Sequence, residues 1–164
     1  MHELFLAGEW TDGAGVVTIH SPYDGQQVAE VHQAGKEHFG RAIDRAVAAA
    51  AELRSLPAYR IAAALERMKA YLVDHADEAA RTLAEEAGKP LKLGRIEVQR
   101  ALHIVEDGVE ECKRQEGVSI PLDRRPWGER RFALYERFPR GVIGAITPFN
   151  FPLHLVAHKI VPAL

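Results

Sequence analysis

The order of apolar and polar residues divides the chain into a strand-rich start, a long helical middle and a second strand-bearing end. Leu4–Trp10, Val16–His20 and Val28–His32 are short runs of β-prone residues. Asp12-Gly13 and Asp24-Gly25 supply turn chemistry between them. The period then lengthens to that of a helix. Phe39, Ala42, Ile43, Ala46, Ala50 and Leu53 form one stripe, and Ile61, Leu65, Met68 and Leu72 form a second behind the start signals Ser55 and Pro57. A third helix is expected over Ala76–Ala87, stopped by Gly88 with Pro90 just beyond. A fourth is expected over Leu91–Glu116, with Val98, Leu102, Val105, Val109 and Cys112 on one face and Gly117 as its end.

After Gly117 the pattern alternates again. Val118–Leu122 and Arg130–Phe138 predict two strands joined through Arg125-Pro-Trp-Gly128. Phe132, Leu134 and Phe138 should face one side, and Arg131, Tyr135 and Arg137 the other. Val142–Ile146 is different: an apolar run without alternation, which suits a strand buried on both faces of a parallel sheet. Thr147-Pro148 ends it, and Pro152 opens a last helix carrying Leu153, Val156, Ile160 and Leu164 on one face.

Between the two prolines lies a single carboxamide, Asn150. Each proline fixes its own φ and biases the residue before it towards extended geometry. Asn150 is thereby expected at the carboxyl end of a buried strand, where open α/β sheets bind ligands. A neutral amide there can donate a hydrogen bond to a developing oxyanion without titrating. Taken alone, Asn150 also suits the N-cap of the following helix.

Composition narrows the class. The 164 residues fit one domain, and 47% hydrophobic with 27% charged residues is a globular profile. No apolar stretch is long enough to cross a bilayer, and no signal-peptide pattern opens the chain. One cysteine excludes an internal disulfide and agrees with a reducing compartment, so cytoplasm is the expected location. A formal net charge of −2 gives no global attraction to nucleic acid or anionic membrane. Lys113–Arg140 is locally basic, with eight Lys/Arg against four Asp/Glu, and reads best as a solvated or intersubunit strand pair.

The segment Gly141-Val-Ile-Gly-Ala-Ile-Thr-Pro-Phe-Asn-Phe-Pro152 resembles the aldehyde dehydrogenase superfamily, whose first nucleotide-domain strand reads G-V-x-x-x-I-x-P-[WF]-N-[FYW]-P. Phe5-Leu-Ala-Gly-Glu-Trp10, Ser21-Pro-Tyr-Asp-Gly25, Val28-Ala-Glu-Val31, Glu86-Ala-Gly-Lys-Pro90 and Glu97-Val98 agree in order and spacing. The resemblance runs from about Phe5 to Leu164. It implies an α/β fold: the N-terminal portion of the aldehyde dehydrogenase fold, with a helical layer, a projecting oligomerisation hairpin and the start of a Rossmann-like parallel sheet. Residues 1–117 would be the N-terminal part of an NAD(P)-binding domain, 118–140 the hairpin through which homo-oligomers assemble, and 141–164 the first strand and helix of the nucleotide-binding sheet.

The implied activity is oxidation of an aldehyde to a carboxylic acid with NAD or NADP. A cysteine thiolate attacks the carbonyl, and a glutamate-activated water hydrolyses the resulting thioester. The resemblance assigns the oxyanion donor to Asn150 and the nicotinamide-ribose border to Ile146, Thr147, Pro148 and Phe149. Family members more often carry Trp at the Phe149 position, so an indole donor is lost here. The family's cysteine, glutamate, ribose-binding lysine and pyrophosphate turn all follow the Asn segment, and none occurs in these residues. The expectation is therefore an N-terminal fragment, inactive alone. The alternatives are a non-catalytic interaction module docking through the 118–138 hairpin, and a CoA-acylating aldehyde dehydrogenase.

Other reactive residues read as structural. Cys112 lies in register with Val105 and Val109, and Glu110 and Glu111 beside it would raise a thiol pKa. His154 and His158 have zinc-like spacing, but no third ligand is evident and no metal is expected. Gly141 and Gly144 stand at the start of and within the apolar run, whereas a dinucleotide fingerprint follows its strand. Arg124 and Arg125 beside Trp127 read as a charged turn, so no nucleic-acid partner is expected.

Overall fold

The computed structural model describes residues Met1–Leu164. Strands β1 (Leu4–Leu6) and β2 (Glu9–Thr11) pair antiparallel, Leu4 opposite Thr11. The expected single strand Leu4–Trp10 is thus a hairpin. Ala7 and Gly8 both take positive φ, 58° and 94°, the geometry that matches a two-residue turn to strand twist. β3 (Gly15–His20) and β4 (Gln27–Gln33) form a second antiparallel pair, closed by a turn in which the Gly25 amide donates to the Ser21 carbonyl at 2.8 Å.

Five helices follow in pattern: α1 (Lys36–Ser55), α2 (Ala58–Asp74), α3 (Ala76–Ala87), α4 (Leu91–Lys113) and α5 (His154–Ile160). α4 is the hub. Ala62 and Leu65 of α2 pack on Val105 and Val109, with Val161 closing the cluster and Met68, Ile104 and Cys112 at its margin. Ala80 and Leu83 of α3 pack on Val98 and Leu102, with Leu153 against them. The 3.6-residue stripe read from α4 is therefore its buried face. Gly108 lets the chain after α5 approach: a Cβ there would sit 2.2 Å from Val161 Cγ1 and 3.3 Å from Leu65 Cδ1. α1 buries none of its residues; Phe39 and Ile43 of its apolar stripe face outward, as does Val47.

β5 (Val118–Pro121) and β6 (Phe132–Tyr135) pair antiparallel, with Val118 opposite Tyr135; both are shorter than the expected Val118–Leu122 and Arg130–Phe138. A 3₁₀ turn, Pro126–Gly128, lies between them.

Two further expectations need correction. α4 ends at Lys113, not Glu116. Val142–Ile146 is not a buried strand: it carries no strand assignment and no strand partner, and Ile143 and Ile146 are 53% and 92% exposed. A strand is made by its neighbours, and all six strands here are committed to three separate two-stranded sheets. The apolar run records an affinity for a sheet that residues 1–164 do not themselves build.

Candidate active-site turn

The loop that carries Asn150 is fastened from beneath by two charged residues. The first arises at the α3–α4 junction. Gly88 ends α3 in the left-handed conformation, φ 60°, which a residue with a side chain rarely adopts, and Pro90 is the N-cap of α4. Lys89, held between them, projects towards the Asn150 turn. Its Nζ donates to the Asn150 carbonyl at 3.0 Å and stands 4.3 Å from the centre of the Phe151 ring.

The second is Glu97, on the core face of α4 beside Val98 and Ala101 and fully buried. Its Oε2 accepts a hydrogen bond from Lys89 Nζ. Its Oε1 accepts from the amides of Leu153 (2.9 Å) and His154 (3.2 Å). These amides open α5, whose own N-cap offers no side-chain acceptor, so the helix start is capped from another helix. Burial pushes the Glu97 carboxyl up, but Lys89 and the two amides outweigh it and hold it below its ordinary value.

Asn150 is consequently not an N-cap. α5 starts at His154, its N-cap is Leu153, and Glu97 takes the role the capping reading would give Asn150. The Asn150 side chain is exposed and makes no hydrogen bond within the chain, leaving its donors free. Ile146, Thr147, Pro148 and Phe149 lead into it as one exposed run, with Ile146 and Phe149 about nine-tenths open. They stand in line with Asn150 on the surface. A surface concavity lined by Leu6, Glu9, Arg41 and Asp44 lies elsewhere.

His154 and His158 share a helix face with Nε2 atoms 3.2 Å apart. No cluster of three or more His, Cys, Asp or Glu is placed to hold a metal. Burial first, then the charges of His158 and Arg100, keeps His154 below the usual imidazole value. Burial likewise raises the Cys112 thiol, which packs at the margin of the α2–α4 cluster. A raised thiol is a poor nucleophile at neutral pH, in keeping with the structural reading.

The sequence reading left Lys89 and Glu97 as parts of matching stretches without roles. The signal was present: Glu97 falls in register with Gly94, Val98 and Ala101, a carboxylate on an apolar stripe that must be paired when buried.

Residues 10–164 match the family model described as "Aldehyde dehydrogenase family". The chain is 35% identical over 161 residues to 3-sulfolactaldehyde dehydrogenase of Priestia aryabhattai, covering 98% of this chain and 33% of that protein. It superposes with a TM-score of 0.93 and 37% identity on aldehyde dehydrogenase 21 from Physcomitrella patens in complex with the reaction product succinate, covering 99% of this chain and 34% of that one. The NADP-dependent glyceraldehyde-3-phosphate dehydrogenase from Bacillus halodurans complexed with NADP gives 0.92 at 28% identity, covering 99% and 35%. The chain thus spans about a third of the length of the relatives it matches, and its fold is that of their N-terminal part. A family match over nearly all its residues, with the Asn150 turn inside it, means that the chain belongs to the aldehyde dehydrogenase family.

Proposed function

We propose that the protein carrying this chain oxidises an aldehyde to a carboxylic acid with NAD or NADP, and that Asn150 stabilises the oxyanion formed when a nucleophile adds to the carbonyl. The observation that carries this reading is the free, exposed carboxamide on a turn whose backbone is fastened at Asn150, Leu153 and His154. A donor already oriented before reaction needs no reorganisation as charge develops on the carbonyl oxygen. A neutral amide also keeps its donors at any working pH.

The residues present fit one wall of a cofactor cleft. Residues 141–152 contain no charged side chain, and Ile146 and Phe149 offer an open apolar strip, suited to the nicotinamide-ribose end and not to phosphates. A bound NAD or NADP supplies the hydride acceptor. The relatives named above support an aldehyde substrate, two of them by the aldehyde they are named for.

Three portions follow from this reading: 1–117 as the N-terminal part of the NAD(P)-binding domain, 118–140 as an assembly hairpin, and 141–164 as the start of the nucleotide-binding sheet. The β5–β6 pair has two open edges and exposed Val118, Ile120, Phe132 and Leu134, which support homo-oligomer formation by sheet extension. No helix is long and apolar enough to cross a membrane. A cytoplasmic location agrees with one half-buried thiol.

The test is the aldehyde-dependent rise of NADH or NADPH absorbance catalysed by the full-length protein across an aldehyde panel. No turnover with any aldehyde and either cofactor would sink the reading.

A further inference from the structure

One buried carboxylate and one lysine bind three points on five consecutive residues. Lys89 Nζ holds the carbonyl of Asn150, Glu97 Oε1 holds the amides of Leu153 and His154, and the two side chains are paired to each other. Lys89 also stands 4.3 Å from the Phe151 ring centre. Residue 150 is thus fixed by its own peptide oxygen, and the chain after it by the first amides of α5.

The arrangement is more than ordinary helix capping. A cap from within the chain, an Asn or Ser beside α5, would satisfy the Leu153 and His154 amides without reaching Asn150. Here the acceptor comes from α4, 56 residues away, and its counter-ion continues to the Asn150 carbonyl. Glu97 is fully buried and the Lys89 side chain 12% exposed. Retaining a buried ion pair here is weak evidence for stability, since a well-packed apolar pair often serves as well. Its geometry, which ties the Asn150 carbonyl to the first amides of α5, suits another use.

We propose that Lys89 and Glu97 are positioning residues for Asn150, forming a clamp from α4 and the α3–α4 junction that sets where the carboxamide points. The proposal rests on the oxyanion-donor reading of Asn150. The clamp does not touch substrate. It acts on the main chain of the donor and makes no hydrogen bond to Ile146–Phe149.

The experiment is a double-variant cycle in the full-length protein, with kcat and KM measured for the aldehyde and for the cofactor. A displacement of about 1 Å at a reacting group costs about 10²-fold. Lys89→Met is therefore expected to lower kcat by roughly 10- to 100-fold while both KM values stay within about twofold. Because the lysine acts through Asn150, Lys89→Met/Asn150→Ala is expected to turn over no more slowly than Asn150→Ala alone. Lys89→Met leaves a buried carboxylate without its cation and is at risk of unfolding. Lys89→Met/Glu97→Gln removes both charges together and carries the same test in a neutral background. Its loss of kcat, with thermal midpoint preserved, separates positioning from simple destabilisation.

Wild-type kcat in Lys89→Met/Glu97→Gln overturns the clamp. Losses that multiply when Lys89→Met is combined with Asn150→Ala also overturn it, because the lysine would then act elsewhere. Full activity in Asn150→Ala refutes the donor reading itself, and is told apart from the other two by the single variant.

Discussion

Lys89→Met isolates the energetics of the buried pair. The substitution keeps the aliphatic stem and removes the only cation bonded to a carboxylate that is 0% exposed. Breaking a buried pair by deleting one partner typically costs about 3–5 kcal/mol. Two features lower that figure here: Glu97 keeps the Leu153 and His154 amides, and the lysine side chain retains 12% exposure. A loss of about 2–3 kcal/mol is expected, roughly one charge-assisted hydrogen bond with its desolvation. Lys89→Met/Glu97→Gln is expected to lose under about 1 kcal/mol, because no charge is left buried. Urea denaturation followed by circular dichroism measures both. The ordering is the claim: the single variant must be weaker than the double. Equal destabilisation of the two, or a single variant within about 0.5 kcal/mol of wild type, would refute the reasoning.

Other perturbations test separate parts of the structure. Glu97 has a folded pKa held below 4.5, so the unfolded chain binds more protons in mild acid. Its contribution to stability is therefore present above about pH 4.5 and is lost as pH falls through the lower folded value; Glu97→Gln should flatten that acid limb in pH-dependent denaturation. Gly108→Ala places a Cβ against Val161 and Leu65 and should cost about 1–3 kcal/mol by thermal melting, with Val161→Ala in the same chain recovering part of it. Cys112, half-buried with its thiol pKa raised, should react with a neutral disulfide reagent at pH 7.5 at least about tenfold more slowly than free cysteine. Rapid labelling of the folded protein would contradict its structural assignment.

Much of the helical layer was legible because one element imposes its period on its neighbours. The α4 stripe, Val98, Leu102, Val105 and Val109, is buried, and Leu65 of α2 and Leu83 of α3 meet it. Punctuation by Gly88 and Pro90 was equally readable, since few residues other than glycine accept the left-handed end of α3. What failed depended on partners. Val142–Ile146 has the composition of a buried strand, and Phe39 and Ile43 of α1 belong to the pattern of a packed stripe, yet all of these stay exposed in residues 1–164 and only the stripe's other positions are half-buried. The β1–β2 hairpin was hidden because Ala7, an unremarkable alanine in sequence, takes positive φ beside Gly8.

The site was legible only in part, for the same reason. Asn150 between two prolines was conspicuous along the chain, but its support is 53 and 61 residues distant, at Glu97 and Lys89. Sequence order cannot show that a carboxylate on the α4 stripe caps α5. The rule that a buried charge must be paired could have raised the question of its partner.

The most direct measurement is the turnover number of the full-length protein and its Asn150→Ala variant, followed as aldehyde-dependent formation of NADH or NADPH. Loss of an oxyanion donor should lower kcat by about 10²–10³-fold with a much smaller change in KM. An Asn150→Ala enzyme with near wild-type kcat would contradict the account, whatever aldehyde it accepts.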